Sequence, residues 1–182
     1  MRVLPIAVAV LAGAFALTSC GDSGGGGDAH AASTSASANA SASTDCKIDE
    51  VGIQVGPANA AQAAGDTGNV PVTITNPGTQ CTLEGFPGLE VRAGETSTEI
   101  LPDKSAQPVK LPLAKDGAAS FTITYVRGEG GDAKTLDLKT LKISLPGSDK
   151  TQDFAWSFGP VAGKDGAGTL NASTSPFQHA GD

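Results

Sequence analysis

The stretch NVPVTITNPGTQCTLEGFPGLEV, residues 69–91 of the 182-residue chain, contains the pattern that decides the fold. In it Val70, Val72 and Ile74 alternate with Pro or Thr, so their side chains fall on one face of an extended strand. Asn76-Pro77-Gly78 then reverses the chain, because proline presets φ and glycine permits a positive φ. The stretch therefore predicts a strand with one buried face, followed by a turn.

The same two-residue alternation of apolar residues recurs along the chain, whereas apolar residues at helical spacing are almost absent. The other alternating runs are Val51/Ile53/Val55, Leu89/Val91, Val109/Leu111/Leu113, Phe121/Ile123/Tyr125, Leu141/Ile143/Leu145 and Phe154/Trp156/Phe158. Together the runs predict about seven short strands. Two antiparallel sheets packed face to face are the simplest way to bury such one-sided strands. We therefore predict an all-β domain, an immunoglobulin-like antiparallel β-sandwich, with a barrel as the alternative.

Local signals give four narrower expectations. Asp116-Gly117, between two alternating runs, is a hairpin signal. Pro108 and Pro112 each remove a backbone donor, so the strand that carries them is expected at a sheet edge. Residues 58–64 are the only segment that could form a helical turn. Trp156 is expected in the core rather than on a carbohydrate-binding platform, because alternation places it on one face with two phenylalanines.

The composition argues against several functional classes. A net charge of −7 argues against nucleic-acid binding, which needs a surplus of Lys and Arg. The one methionine is the initiator and the only histidines are His30 and His179, which argues against a copper or haem carrier. We predict no cofactor. Glu129 and Asp132 in the GEGGD loop could bind Ca²⁺, but the EF-hand spacing is missing and a solvated loop is favoured, so we predict no metal site.

The sequence also lacks the usual signatures of hydrolytic catalysis. No GxSxG, HExxH or SxxK motif occurs in the folded part of the chain, so no nucleophile with an adjacent base can be named. The single histidine of that part, His179, lies in a polar tail. We therefore predict no catalytic residues and a protein that is not an enzyme.

Residues 1–19 have the pattern of a signal peptide. One positive charge at Arg2 precedes an apolar run of 15 residues, Val3 to Leu17. As a helix this run would span roughly 22 Å, less than the ~30 Å hydrocarbon core, which favours a cleaved signal over a membrane anchor. The segment ends in Leu17-Thr18-Ser19-Cys20, which resembles the lipobox of bacterial lipoproteins. The resemblance implies lipidation of Cys20 and attachment to the cell membrane on its extracytoplasmic face.

Residues 20–45 are predicted to hold the lipidated cysteine and a flexible linker. Gly, Ala, Ser or Thr occupies 20 of the 25 positions from 21 to 45, and none of the remaining residues is large and apolar. A coil of this length averages about 27 Å end to end. Residues 46–182 then form a single β-sandwich domain.

The cysteine count predicts one disulfide. If Cys20 carries lipid, Cys46 and Cys81 remain as an even pair in an oxidising compartment. A metal site or a redox pair is the alternative, but the sequence has no CxxC spacing to support either.

Residues 69–91 closely resemble the signature of the DUF4232 family, a domain of unknown function found in secreted and lipid-anchored actinobacterial proteins. The matching positions are Asn76, Gly78, Cys81, Leu83, Gly85, Phe86, Pro87 and Gly88. The resemblance extends over residues 46–182 and implies an extracytoplasmic sandwich without catalytic activity. Many members have a further cysteine between the fifth and sixth strands, which is absent here. We interpret the motif residues as structural, with Leu83 and Phe86 packed beneath the turn.

These observations give three functional hypotheses. The leading one is a non-enzymatic cell-envelope lipoprotein whose tethered domain binds an envelope protein or a wall polymer. The alternative is a lipoprotein that binds a small ligand or metal and feeds a transporter. A wall-acting enzyme comes third.

Overall fold

The computed structural model describes residues 44–164 and 168–181, and its secondary structure there consists of strands. In chain order the strands are β1 (Thr44–Asp45), β2 (Gly52–Val55), β3 (Thr67–Thr75), β4 (Cys81–Glu84), β5 (Gly88–Ala93), β6 (Thr96–Glu99), β7 (Leu101–Pro102), β8 (Lys110–Leu113), β9 (Ala118–Val126), β10 (Thr135–Leu136), β11 (Thr140–Ser144), β12 (Gln152–Ala155), β13 (Val161–Ala162), β14 (Ala172–Thr174) and β15 (Gln178–His179). No helix in these two ranges is long and apolar enough to span a bilayer.

The largest sheet is built around β3 and β9. Its strand order is β2-β3-β9-β14-β7, and β15 pairs with a second part of β9. β3 and β9 are antiparallel from Thr67↔Val126 to Thr75↔Ala118. Val72 lies opposite Phe121 in this register, and both are fully buried. The alternation in residues 69–75 thus forms the inner face of the sheet.

The second layer combines two smaller sheets. One has the order β12-β11-β5-β6, and the other has the order β1-β4-β8 with β1 parallel to β4. β10 and β13 form a separate antiparallel pair. Buried apolar side chains from all the larger sheets belong to one core cluster. The predicted all-β sandwich is confirmed, with more strands in the described ranges than the alternating runs indicate, several of them only two residues long.

The hairpin prediction at Asp116-Gly117 is wrong. The preceding strand, β8, pairs with β4, and the following strand, β9, pairs with β3, so the connection crosses from one layer to the other. Asp116 does adopt the positive φ of a turn, 61°. The dipeptide does mark a chain reversal. β9 nevertheless pairs with β3 over nine residues, whereas a hairpin with the four-residue β8 would pair fewer residues of β9.

Three other local expectations have mixed outcomes. β8 lies at a sheet edge, as its proline predicts. Val109, expected on the buried face, precedes this strand and is 59% exposed. Residues 58–64 form no helix; Asn59 makes an isolated bridge to Asn69 instead, since the segment has no large apolar residue with which to dock a helix.

The aromatic cluster around Tyr125 joins both layers. The Tyr125 hydroxyl donates to the Phe158 carbonyl (2.6 Å) and accepts from the Ala61 amide (3.2 Å). Trp156 packs edge-on against Tyr125 with ring centroids 5.4 Å apart and is 6% exposed, which confirms its predicted core position although it follows the end of β12. Gly68 makes room for this packing, because a Cβ there would lie 2.5 Å from the tyrosine ring.

Candidate functional site

Asn76 is the buried centre of two connections between the layers. Its Nδ2 donates to the carbonyl oxygens of Thr79 (2.8 Å), Leu113 (3.0 Å) and Ala114 (3.2 Å). Its Oδ1 accepts from the Gly78 amide at 3.0 Å, and the side chain is only 2% exposed. An asparagine amide has both donors and an acceptor, so it can link the β3–β4 connection to the β8–β9 connection.

Cys46 and Cys81 form a disulfide, as the cysteine count predicts. Their Cα atoms are 4.9 Å apart and both side chains are buried. The Cys46 amide also donates to the Thr82 carbonyl at 3.0 Å. The start of the domain is therefore attached to β4 by a covalent bond and by backbone pairing.

The remaining motif residues carry the chain from β4 into β5. Leu83 and Pro87 are buried, whereas Phe86 is only partly buried. Gly85 has φ +91°, a value that favours glycine, and its carbonyl accepts from the Phe177 amide at 3.3 Å. Phe86 thus does not lie wholly beneath the turn, and part of its ring borders a surface cleft.

This cleft, of about 530 Å³, lies over the outward faces of β5 and β11. Its apolar lining includes Phe86, Leu101, Pro102 and Pro146, and its charged lining consists of Glu90, Glu99 and Lys142. Leu101 is 47% exposed, which makes it one of two large apolar side chains with high exposure in the described ranges. The cleft therefore offers a mixed apolar and charged surface.

Gly88 keeps the cleft deep at the start of β5. It lies opposite Ser144 in the register, and the Ser144 hydroxyl donates to the Gly88 carbonyl at 3.4 Å. A Cβ at position 88 would collide with the Ser144 hydroxyl. A larger residue here would displace that hydroxyl and raise the surface of the cleft.

The charges of the cleft are only partly balanced. Arg92 Nε donates to Glu90 at 3.0 Å, and Lys142 lies 3.2 Å from Asp153. Hydrogen bonds from Ser97 and then from Arg92 lower the pKa of Glu90, so it is ionised at neutral pH. Glu99 takes part in none of the ion pairs found in residues 44–164 and 168–181. An unbalanced carboxylate therefore remains beside exposed Leu101.

The residues that the sequence suggested for Ca²⁺ have another local role. The Asp132 carboxylate accepts from the Lys134 amide at 2.9 Å and closes its own turn. No group of three or more His, Cys, Asp or Glu side chains in the described ranges could hold a metal ion. His179 is exposed on β15. Cys20 and His30 lie outside the described residues, as does the predicted signal peptide.

Sequence reasoning missed the segment that borders the cleft at Glu99 and Leu101. Ile100 donates to the Leu89 carbonyl at 3.0 Å, and the chain then leaves β5, because Leu101 pairs with Ser173 of the other layer. The signal that could have found this segment is Gly94-Glu95, a two-residue turn before a run of Thr and Ser.

The fold defines a disulfide-bonded β-sandwich domain that carries a surface cleft with a mixed apolar and charged lining. Residues 46–178 match DUF4232, a domain of unknown function, and the chain belongs to this family. The matched range includes the motif from Asn76 to Gly88 and all the residues that line the cleft. A search of curated proteins found no match.

Proposed function

We propose that this chain is a non-enzymatic, lipid-anchored envelope protein whose β-sandwich binds another envelope component at the cleft. The observation that carries the binding role is the combination of exposed Leu101 with unbalanced Glu99 in one depression. A single exposed leucine is common on protein surfaces. Here it lies in one lining with the partly exposed Phe86 and Pro146, so that a partner could contact apolar side chains from three segments of the chain.

The sequence supports the anchored location. Each buried CH₂ of an attached lipid contributes about 0.8 kcal/mol, so two or three acyl chains at Cys20 would hold the protein durably on a membrane. A flexible linker that ends before β1, residues 21–43, would give the domain a reach of about 26 Å. The domain would then meet components beyond the lipid headgroups.

Replacement of Cys20 by alanine is expected to abolish lipid labelling, because the thiol that accepts the diacylglycerol is lost. Cells that express the chain would be fed radiolabelled palmitate and fractionated. We expect label in the wild-type band only, and loss of the variant from the membrane fraction. Ser23→Ala, which changes a nearby linker residue, should behave as wild type. Equal labelling of the Cys20→Ala variant would contradict the lipid anchor.

A photo-crosslinker in place of Leu101 is expected to capture the partner in intact cells. The chain would carry p-benzoylphenylalanine at Leu101 or, as a matched control, at Val109, which is also exposed but does not line the cleft. We expect one defined adduct from the Leu101 position and none from the Val109 position. Equal capture at both positions, or at neither, would contradict binding at the cleft.

A small ligand is the second candidate occupant. The cleft volume falls within the range of about 300–1,000 Å³ typical of small-molecule sites. The two candidates differ in one observable. Native mass spectrometry of the purified chain would reveal a retained compound of low mass if the domain serves a transporter, whereas a macromolecular partner would appear in the Leu101 adduct.

A further inference from the structure

The largest sheet presents an outward face that carries no charge. In β3 and β9 every second residue is buried, so the residues between them point away from the core, and the register places them side by side. β2 and β14 extend this surface on either side. We call it the uncharged face. Its thirteen residues are Gly52, Gln54, Thr67, Asn69, Pro71, Thr73, Thr75, Ala118, Ser120, Thr122, Thr124, Val126 and Ser173.

The outward face of the sheet β12-β11-β5-β6 provides a comparison within the same domain. Its ten residues are Gly88, Glu90, Arg92, Ser97, Glu99, Thr140, Lys142, Ser144, Asp153 and Ala155. Five of these ten are charged, whereas none of the thirteen on the uncharged face is. Depletion of charged residues is the compositional signal that distinguishes the centre of a protein–protein interface from the rest of a surface. The uncharged face therefore has a composition that suits contact with another protein.

The side chains of the uncharged face can leave water at a modest cost. The Thr124 hydroxyl donates to Asn69 Oδ1 at 2.9 Å, so these two groups already satisfy part of each other's hydrogen bonding. Pro71, Ala118 and Val126 add apolar surface to the same face. Removal of hydroxyl and amide groups from water costs much less than removal of ionised groups. A second protein could therefore cover this face without stranding a charge.

The charges of the chain favour a second copy of the same chain as the occupant. A partner that is selected by opposite charge finds none to pair with on this face. Two copies, each with a net charge of −7, repel each other least where neither contributes a charge. Since packed sheets lie about 10 Å apart, the charged outward faces of the two other layers would be about 30 Å apart, beyond the Debye length of about 8 Å. β1, at which the domain begins, also lies in the other layer.

The size of the uncharged face predicts a weak dimer. β3 and β9 have nine residues each, and β2 and β14 have four and three. At about 3.3 Å per residue and about 4.8 Å between strands, the face measures roughly 400 Å² in projection. A standard interface buries about 800 Å² of accessible surface on each partner, so this contact belongs with the small, transient ones. Attachment of both copies to one membrane would raise their local concentration and favour pairing.

We infer that two copies of this chain associate through the uncharged face, related by a two-fold axis that passes close to Thr122 and Pro71 at its centre. Such a contact is isologous, because each copy contributes the same surface. The inference goes beyond the proposed binding at the cleft, which lies over the other layer, and uses only the proposed membrane attachment.

The test is photo-crosslinking in intact cells that express the full chain with two different epitope tags. The chain would carry p-benzoylphenylalanine at Gln54, on the rim of the uncharged face, or at Ala155, an equally exposed position on the rim of the other outward face. We expect an adduct of twice the chain's mass that contains both tags from the Gln54 position and none from the Ala155 position. No adduct with both tags, or equal amounts from both positions, would overturn the inference.

A charge placed at the centre of the uncharged face should prevent the contact. Thr122→Glu, combined with the crosslinker at Gln54, should lower the yield of the adduct at least about tenfold, because two carboxylates would be brought together out of water. Thr140→Glu makes the same change of net charge on an inner strand of the other layer and should leave the yield within about twofold. An unchanged yield from Thr122→Glu would overturn the inference.

Two further results separate the possible outcomes. If Thr122→Glu does not accumulate in cells, Thr73→Glu, on the neighbouring strand of the same face, should cause the same loss, and a full yield from it would overturn the inference. An adduct at Gln54 with a different protein would also overturn pairing with a second copy. The Leu101 crosslink tests the cleft separately, so the cleft proposal and the dimer can each fail while the other stands.

Discussion

The Asn76→Ala variant should unfold about 3–5 kcal/mol more easily than the wild type, since the hydrogen bonds to three backbone carbonyls and one amide are lost together. The carbonyl of Leu113 then lies in a buried setting without its side-chain donor, which adds a desolvation cost. Urea denaturation followed by the fluorescence of Trp156, the one tryptophan, would measure the change.

Asn59→Ala is the matched control for this measurement. The Asn59 side chain is exposed and only its backbone bonds to Asn69, so we expect a change of about 0.5 kcal/mol or less. If Asn76→Ala lowered the free energy of unfolding by as little as Asn59→Ala, the hydrogen bonds of the Asn76 side chain would not hold the two connections together.

The stability of the Asn76→Asp variant should depend on pH. The introduced carboxyl would face three carbonyl oxygens, which disfavour its ionised form, so its folded pKa would lie above the unfolded value of about 3.9. A carboxyl group whose pKa is higher in the folded state stabilises the fold most at a pH below its unfolded pKa. This contribution is lost as the pH rises through the folded pKa. The variant should therefore lose stability between pH 4 and neutral pH relative to wild type.

Removal of the Cys46–Cys81 disulfide should cost roughly 4 kcal/mol. The two residues are 35 positions apart, and the chain-entropy relation gives this value for a loop of that length. Alanine replaces both cysteines because both sites are buried. Urea denaturation with and without a reductant would measure the effect.

The reductant provides an internal control for the disulfide. Wild type and the double alanine variant should differ without reductant and approach each other once the bond of the wild type is reduced. A difference of under about 1 kcal/mol without reductant would contradict a stabilising role. Thiol labelling should find neither Cys46 nor Cys81 free in the unreduced chain.

Both variants act on the strand that leads to the cleft. Asn76 and Cys81 lie at the entrance to β4, and the chain continues through Phe86 into β5, whose outward face borders the cleft. The motif that the sequence indicates to be structural thus also shapes the cleft, because its turn places Phe86 and Gly88 in the lining of the cleft. Binding of a partner at the cleft should weaken when these variants loosen β4, even though neither residue lines the cleft.

Much of the fold could be predicted because local alternation reports burial. In β3 and β9 every second residue from Val70 to Ile74 and from Phe121 to Tyr125 is buried. Val109 broke the pattern, since a residue outside the paired part of a strand is not held on the buried face. The cysteine pair could be predicted from the number of cysteines alone.

The candidate site was predictable only in part. Phe86 and Gly88 belong to the motif found in the sequence, but Glu99, Leu101, Lys142 and Pro146 come from segments far apart in the chain. Their proximity depends on the pairing of β5 with both β6 and β11. The spacing of residues within one segment does not predict which segments pair.

By itself the sequence determined which residues of each strand face inward, where the chain turns and which cysteines can pair. Periodicity, glycine and proline geometry, and cysteine number are properties of neighbouring residues. Only the tertiary structure decided that β8 and β9 belong to different layers and that the chain passes from β6, beside the cleft, into β7 of the other layer. Strand partners are selected by the free energy of packing distant segments into one core, and that quantity belongs to the whole domain.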